Sequence, residues 1–208
     1  MVFKQYNQKE GAKKRLSEIA EINPDTYSLS NKWDFFNYLD TSNIIDGVMY
    51  DVQLISSNQK LPSRARRIIK KGDIVFSTVR PNQRHFGIIS YPLPNMVCST
   101  GFSVIRSKNR NIPNELIYLS LTDSNFINQM QQIAEQSVST FPSIRPSDLD
   151  LCILTEPEEK NTNYINTIQY CFNCIATLQE ENRKLSNLRE LLLPKLMSGE
   201  IDVSNLEL

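Results

Sequence analysis

Ile168-Gln169-Tyr170-Cys171-Phe172-Asn173-Cys174-Ile175-Ala176-Thr177-Leu178-Gln179-Glu180-Glu181-Asn182-Arg183-Lys184-Leu185-Ser186-Asn187-Leu188-Arg189-Glu190-Leu191-Leu192 contains neither glycine nor proline, and its apolar residues return in a seven-residue pattern. Ile168, Ile175, Asn182 and Arg189 fall on one seam position; Cys171, Leu178, Leu185 and Leu192 fall on the other. Ile165, Phe172 and Leu188 widen the stripe. This spacing predicts an α-helix with a coiled-coil face. Thr155-Glu156-Pro157-Glu158 reads as its capping box, with Thr155 as N-cap, Pro157 in the first turn and Glu158 reaching back. Glu156, Glu158 and Glu159 suit the positive end of the helix dipole. With no breaker before Pro194, the run allows a helix of about 36 residues, on the order of 54 Å long. A helix of that length does not bury such a stripe against itself. It takes either a partner helix or the surface of its own domain. Asn182 in the seam lowers stability but restricts the registers in which two helices can align.

Working back from Thr155, the pattern changes from long to short. Residues 1–12 read as a polar lead-in, followed by a short amphipathic helix over Arg15 to Ile22, closed by Asn23-Pro24. Aromatic and β-branched runs then alternate with turn signals at Trp33–Leu39, Ile44–Tyr50, Arg67–Ile69, Ile74–Val79, Phe86–Tyr91 and Met96–Ile105. Lys71-Gly72-Asp73 reads as a tight turn joining two of these strands. Pro113–Leu121 and Phe126–Ala134 read as helices, and Asp150–Thr155 as a closing strand. Irregular alternation of short strands and helices points to an α+β domain with a mixed or antiparallel sheet over residues 1–155. A long coiled-coil-forming helix with a short tail follows over 156–208.

Composition sets the outer bounds. Of 208 residues, 40% are hydrophobic and 22% charged, enough for a real core. No export signal or bilayer-length apolar run is read, so a cytoplasmic protein without membrane contact is expected. The four cysteines (Cys98, Cys152, Cys171 and Cys174) do not suggest a disulfide framework. Cys171-x-x-Cys174 has zinc-like spacing but no second pair, and on the helix Cys171 packs in the seam. The single histidine, His85, excludes paired-histidine metal motifs. No phosphate-binding glycine loop occurs. Asp148 or Asp150 followed by Glu158-x-Lys160 resembles a magnesium-nuclease set, but Glu158 and Lys160 follow Pro157 at a helix start, where capping suits them better.

Formal net charge is zero, yet residues 1–150 hold 18 Lys/Arg against 14 Asp/Glu, and 151–208 hold 5 against 9. Between Lys60 and Arg84 lie eight basic residues opposed only by Asp73. Such a local field attracts phosphate; it also describes a strand edge blunted by solvated charge. Within it, Arg64, Arg66, Arg67, Arg80, Asn82, Gln83, Arg84 and His85 are the candidates for DNA contact. Arg can fork onto guanine, and Asn or Gln can pair bidentately with adenine. Lys70 and Lys71 suit phosphates. A second polar loop around Gln136–Arg145 adds Ser139, Thr140 and Arg145. Both loops read equally as ordinary surface turns.

Five segments, in order, resemble the target-recognition domains of Type I restriction-modification specificity subunits. They are Leu16-Ser17-Glu18-Ile19-Ala20-Glu21-Ile22-Asn23-Pro24; Gly72-Asp73-Ile74-Val75-Phe76-Ser77-Thr78-Val79-Arg80-Pro81; Ser99-Thr100-Gly101-Phe102; Phe141-Pro142-Ser143-Ile144 with Asp148-Leu149; and the run from Leu188 through Leu196-Met197-Ser198-Gly199-Glu200. Family members usually have a Pro-Pro-…-Glu-Gln stretch where this chain has Glu156-Pro157-Glu158-Glu159-Lys160. They also carry two recognition domains and two helices, whereas this sequence carries one of each. The resemblance implies a non-catalytic subunit that binds double-stranded DNA and docks methyltransferase and restriction subunits, with no cofactor of its own. S-adenosylmethionine would belong to the methyltransferase, which flips an adenine. It further implies pairing with a second copy or another half-subunit through Ile168, Cys171, Ile175, Leu178, Asn182, Leu185 and Leu192. A coiled-coil adaptor or truncated remnant without DNA binding is the alternative from another class.

Overall fold

The computed structural model describes residues 12–109, 111–137, 140–156 and 162–201. The chain divides after Gln169 into two compact units. The first is an α+β unit built from strands β1 (Lys13–Arg15), β2 (Ala20–Ile22), β3 (Phe35–Leu39), β4 (Ile44–Ile45), β5 (Val48–Met49), β6 (Gln53–Ser56), β7 (Ala65–Ile68), β8 (Ile74–Ser77), β9 (Phe86–Ile88), β10 (Met96–Ser99), β11 (Phe102–Ser107) and β12 (Ile153–Thr155). Helix α1 is Leu16–Ile19, α2 Asn114–Leu121 and α3 Ser124–Glu135. Helix α4, Thr162–Met197, begins in the first unit and runs through the second.

Two four-stranded sheets carry the first unit, in the orders β6-β3-β10-β7 and β2-β11-β8-β9. All pairings are antiparallel except β3 with β10, which run parallel with Val97 opposite Tyr38. Ile74, Val75, Phe76 and Ser77 are all buried, so β8 has no solvent face and its sequence cannot alternate. Val75 and Val104 join Leu39, Ile44, Met96 and Phe102 in one core cluster. Tyr27, Phe36, Tyr38, Ala65 and Val97 form a second, in which the Tyr27 and Phe36 rings meet edge to face at 5.0 Å. Helix α2 packs on β9, β11 and β12 with Leu116, Ile117 and Leu121 fully buried.

Several sequence expectations are corrected by pairing across the fold. The helix expected over Arg15 to Ile22 ends at Ile19, because Ala20–Ile22 is drawn into a ladder with Ser107–Ile105 of β11. Ile44–Tyr50 is a hairpin rather than one strand: Ile45 faces Val48 across Asp46-Gly47, with φ of 47° and 80°. Asp-Gly is a strong two-residue hairpin signal that was present in the sequence. Met96–Ile105 breaks into β10 and β11, which enter different sheets. The break sits at Gly101, where a Cβ would lie 2.9 Å from Thr41 Cγ2. The turn at Lys71-Gly72-Asp73 exists, with Gly72 at φ +85°, but β7 and β8 do not pair; the turn hands the chain from one sheet to the other.

Thr155 is not an N-cap. It is the last residue of β12, paired with Lys13 of β1, and α4 starts at Thr162. Pro157, Glu158, Glu159 and Lys160 lie outside the described residues. The helix spans 36 residues and passes through Pro194 to Met197. A proline there removes one N–H but leaves its own carbonyl in place, and the Ser198 N–H donates to it at 2.9 Å. Gly199, at φ +73°, then lets the chain leave, its N–H donating to the Leu196 carbonyl.

Candidate nucleic-acid interface

The residues following β8 are pinned on both sides. Thr78 donates through its N–H and hydroxyl to the Gly101 carbonyl, at 2.8 and 2.9 Å. On the other side Ile144 N–H donates to the Thr78 carbonyl at 2.8 Å and Arg80 N–H to the Pro142 carbonyl at 2.9 Å. The two polar loops singled out separately in the sequence are thus zipped together. Pro81–Gln83 makes a single 3-10 turn with Pro81 buried, and Asn82 N–H donates to Gln131 Oε1 of α3 at 3.3 Å. Arginines flank this turn in left-handed backbone conformations, Arg80 at φ 48° and Arg84 at φ 59°. Each such residue costs on the order of 1–2 kcal/mol, and strain of this kind collects where a side chain must be aimed.

A cleft of about 220 Å³ opens there, lined by Arg64, Arg80 and Gln83 with Thr41, Gly101 and Phe141. Arg80 lays its guanidinium over the Phe141 ring, 5.0 Å from the centroid. Thr140 is exposed beside Phe141, and Ser139 lies outside the described residues. Arg84 pairs with Asp46 of the β4–β5 hairpin and lies 5.2 Å from the Phe86 ring centre. His85 is half-buried, its Nδ1 sharing a 2.7 Å hydrogen bond with the Ile44 carbonyl. Arg66 is exposed and donates through Nε to the Ser63 carbonyl at 3.3 Å. Arg67, on the other face of β7, is half-buried against Thr26 Oγ1 at 3.4 Å, with its Nε buried and unpaired among the described residues. Arg145 is exposed, and its N–H is capped by Asp148 Oδ2 at 2.7 Å.

Lys70 and Lys71 sit at the opposite end of β8 from Arg80. Lys71 reaches over Tyr91 at 6.0 Å, and Lys70 Nζ lies 2.9 Å from Asp25 Oδ2. Asp25 belongs to a network that the sequence did not reveal. Arg106 forks onto Asp73 with Nε to Oδ1 at 2.7 Å and Nη2 to Oδ2 at 2.8 Å, and gives Nη1 to Asp25 at 2.8 Å. The Asp73 side chain is 1% exposed. A buried carboxylate demands such a partner. Lys70 and Arg106 hold the Asp25 carboxyl below its usual range, and Asp73 raises the Arg106 value in turn. Asp73 in the Gly72-Asp73 turn is therefore architectural. Its partner, distant in sequence, carries no local signal.

Asp148 and Asp150 both serve the backbone. Asp150 Oδ1 accepts the Ser17 N–H at 2.8 Å, a bond that lowers its pKa, and Asp148 caps Arg145. Burial pushes the Cys152 thiol up to about 12 and the Cys98 thiol upward as well, so neither is poised as a nucleophile.

Along α4 the seam residues differ in exposure. Ile168 is buried; Cys171, Ile175, Leu178, Asn182 and Leu185 are exposed, and Leu192 is half-buried. Leu188, Leu191, Leu193, Leu196 and Met197 are exposed with them. No helix among the described residues is long and apolar enough to cross a membrane.

Residues 8–187 match the protein family described as the Type I restriction modification DNA specificity domain. Over 143 residues the chain is 28% identical to the Type I restriction enzyme HindI specificity subunit of Haemophilus influenzae, covering 66% of this chain and 31% of that protein. It superimposes on a chain from a structural study of complex assembly and conformational transition of the type I R-M system with a TM-score of 0.62 and 25% identity, over 96% of this chain and 52% of that one. The HsdS subunit from Thermoanaerobacter tengcongensis gives the same TM-score at 24% identity, over 95% and 51%, and bears on the fold alone. The chain thus spans about a third of the length of the first of these relatives and about half of the other two.

Proposed function

The chain belongs to the family of Type I restriction modification DNA specificity domains, and from that premise we propose that it reads the base sequence of duplex DNA on behalf of partner subunits that do the chemistry. Residues 1–155 are the reading module and 156–208 the spacer that joins it to a second one. The observation that carries this is the cleft in which Arg64, Arg80 and Gln83 converge. Arginine forks and a glutamine amide are the groups that distinguish guanine and adenine in the major groove. Arg66, Arg84, Lys70 and Lys71 supply phosphate contacts that position without reading.

The exposed stripe of α4 fits pairing with a second copy of this chain or another half-subunit. A symmetric pair presents two identical readers, which selects an inverted-repeat, bipartite target. Methyltransferase subunits, with S-adenosylmethionine bound to them, and a restriction subunit dock on this frame in the cytoplasm; the chain itself contributes recognition and no catalysis.

Duplex binding measured by anisotropy against salt tests the reading. Affinity should fall by orders of magnitude between about 50 and 200 mM salt, because phosphate neutralisation releases counterions. Arg80→Ala with Arg84→Ala should weaken it further. Binding indifferent to both changes would sink the proposal and leave a helical adaptor. In the sedimentation arm, a monomer at tens of micromolar would remove self-pairing.

A further inference from the structure

Arg80 differs from Arg84, Lys70 and Arg106 in what it leans on. Arg84 is matched by Asp46, Lys70 by Asp25 and Arg106 by Asp73 and Asp25. No carboxylate lines the cleft around Arg80 among the described residues. Its neighbour is the ring of Phe141, 54% exposed, with the guanidinium carbon 5.0 Å from the centroid. Here the loop is held in place. Arg80 N–H donates to the Pro142 carbonyl at 2.9 Å, and Val79 bridges Ser143, so ring and guanidinium ride on one backbone clamp. Arg80 also keeps φ at 48°, a conformation that glycine or asparagine would adopt at less cost. The backbone sets the origin of the side chain, and the ring lies under its guanidinium without taking up an N–H donor.

Building on the DNA-reading function above, we propose that Phe141 is a specificity-positioning residue: its ring holds the Arg80 guanidinium so that the fork meets O6 and N7 of one guanine in each half-site. Stacking covers the face of the guanidinium and leaves its N–H edges free, which is the geometry that bidentate guanine contact requires. A carboxylate in the same place would occupy that edge and compete with the base. Lysine can reach the same two guanine atoms but lacks the planar fork that a ring can orient.

The test is selection from a randomised duplex DNA pool by the full chain and by Arg80→Ala, Arg80→Lys, Phe141→Ala, Phe141→Tyr and the Arg80→Ala/Phe141→Ala double variant. The expected result is one guanine column whose discrimination falls about tenfold or more in Arg80→Ala and Phe141→Ala alike, and less far in Arg80→Lys. Phe141→Tyr should keep that column, and the double variant should lose no more than either single one. A ring with a merely structural role would instead erode every column evenly. If Phe141→Ala does that, changes nothing, or loses a different column, the positioning role is overturned while the DNA-reading function stands. The same holds if Arg80→Ala leaves every column intact. If the wild-type chain enriches no sequence at all, the DNA-reading function fails and this inference with it.

Discussion

Ile168 and Leu185 lie on one continuous helix and on the two seam positions of one repeat, yet the first is 6% exposed and the second 62%. One ion pair from each unit shows the same contrast. Asp73 and Arg106 are 1% and 26% exposed, while Arg189 and Glu190 are 69% and 72%. In the first unit, apolar residues and charges find partners within the same chain. In the second, the leucines face outward and the ion pairs are surface contacts that contribute little. The difference teaches that the first unit buries its apolar residues within the chain, while the second leaves an apolar stripe exposed, the face on which the proposed pairing rests. An isolated helix gains little from propensity and most from burying an apolar face.

The largest effect is expected where the first unit is most self-reliant. Arg106→Ala strands the buried Asp73 carboxylate and should cost about 3–5 kcal/mol. Urea unfolding followed by Trp33 fluorescence reads this, and a loss below about 1 kcal/mol would mean that the unit does not depend on the network. The helix should respond in association instead. Leu178→Ala and Leu185→Ala should each weaken pairing by about 2 kcal/mol, roughly thirtyfold, while the first unit's unfolding midpoint stays put. Sedimentation of both variants checks it; unchanged association would show that the stripe is not the contact.

The smallest effect is on pH. Asp25 is held below its unfolded value of about 3.9 by Lys70 and Arg106. Its stabilisation is therefore complete above that value and is lost as pH falls through the lower folded value. Thermal unfolding of Asp25→Asn across the acid range should lie below wild type near neutrality and converge on it at the acid end. A gap that persists there would assign the effect to packing rather than charge.

The helix was legible because everything that defines it is local: seven-residue spacing and absence of breakers over consecutive residues. Strand positions were legible for the same reason at β8 and β9, where dense β-branched and aromatic residues mark buried strands. Pairing was not. Whether Ala20–Ile22 continues a helix or joins β11 depends on residues more than eighty positions away. The basic segment shows the same limit, since eight residues of turn and strand separate Lys71 from Arg80 and send them to opposite ends of β8. Phe141 stood in the second polar loop and in a resembling segment, but nothing local tied it to Arg80; the clamp between its loop and Val79 and Arg80 does.

By itself the amino-acid sequence determined the α+β character, the long heptad-bearing helix and the presence of a basic, arginine-rich segment, because composition and short-range periodicity are properties of neighbouring residues. Tertiary structure decided which arginines converge on one cleft, which are tied down by Asp25, Asp46 and Asp73, and which aromatic ring aims Arg80. Those outcomes rest on contacts between distant segments, where burial makes an unpaired charge costly and only one register satisfies it.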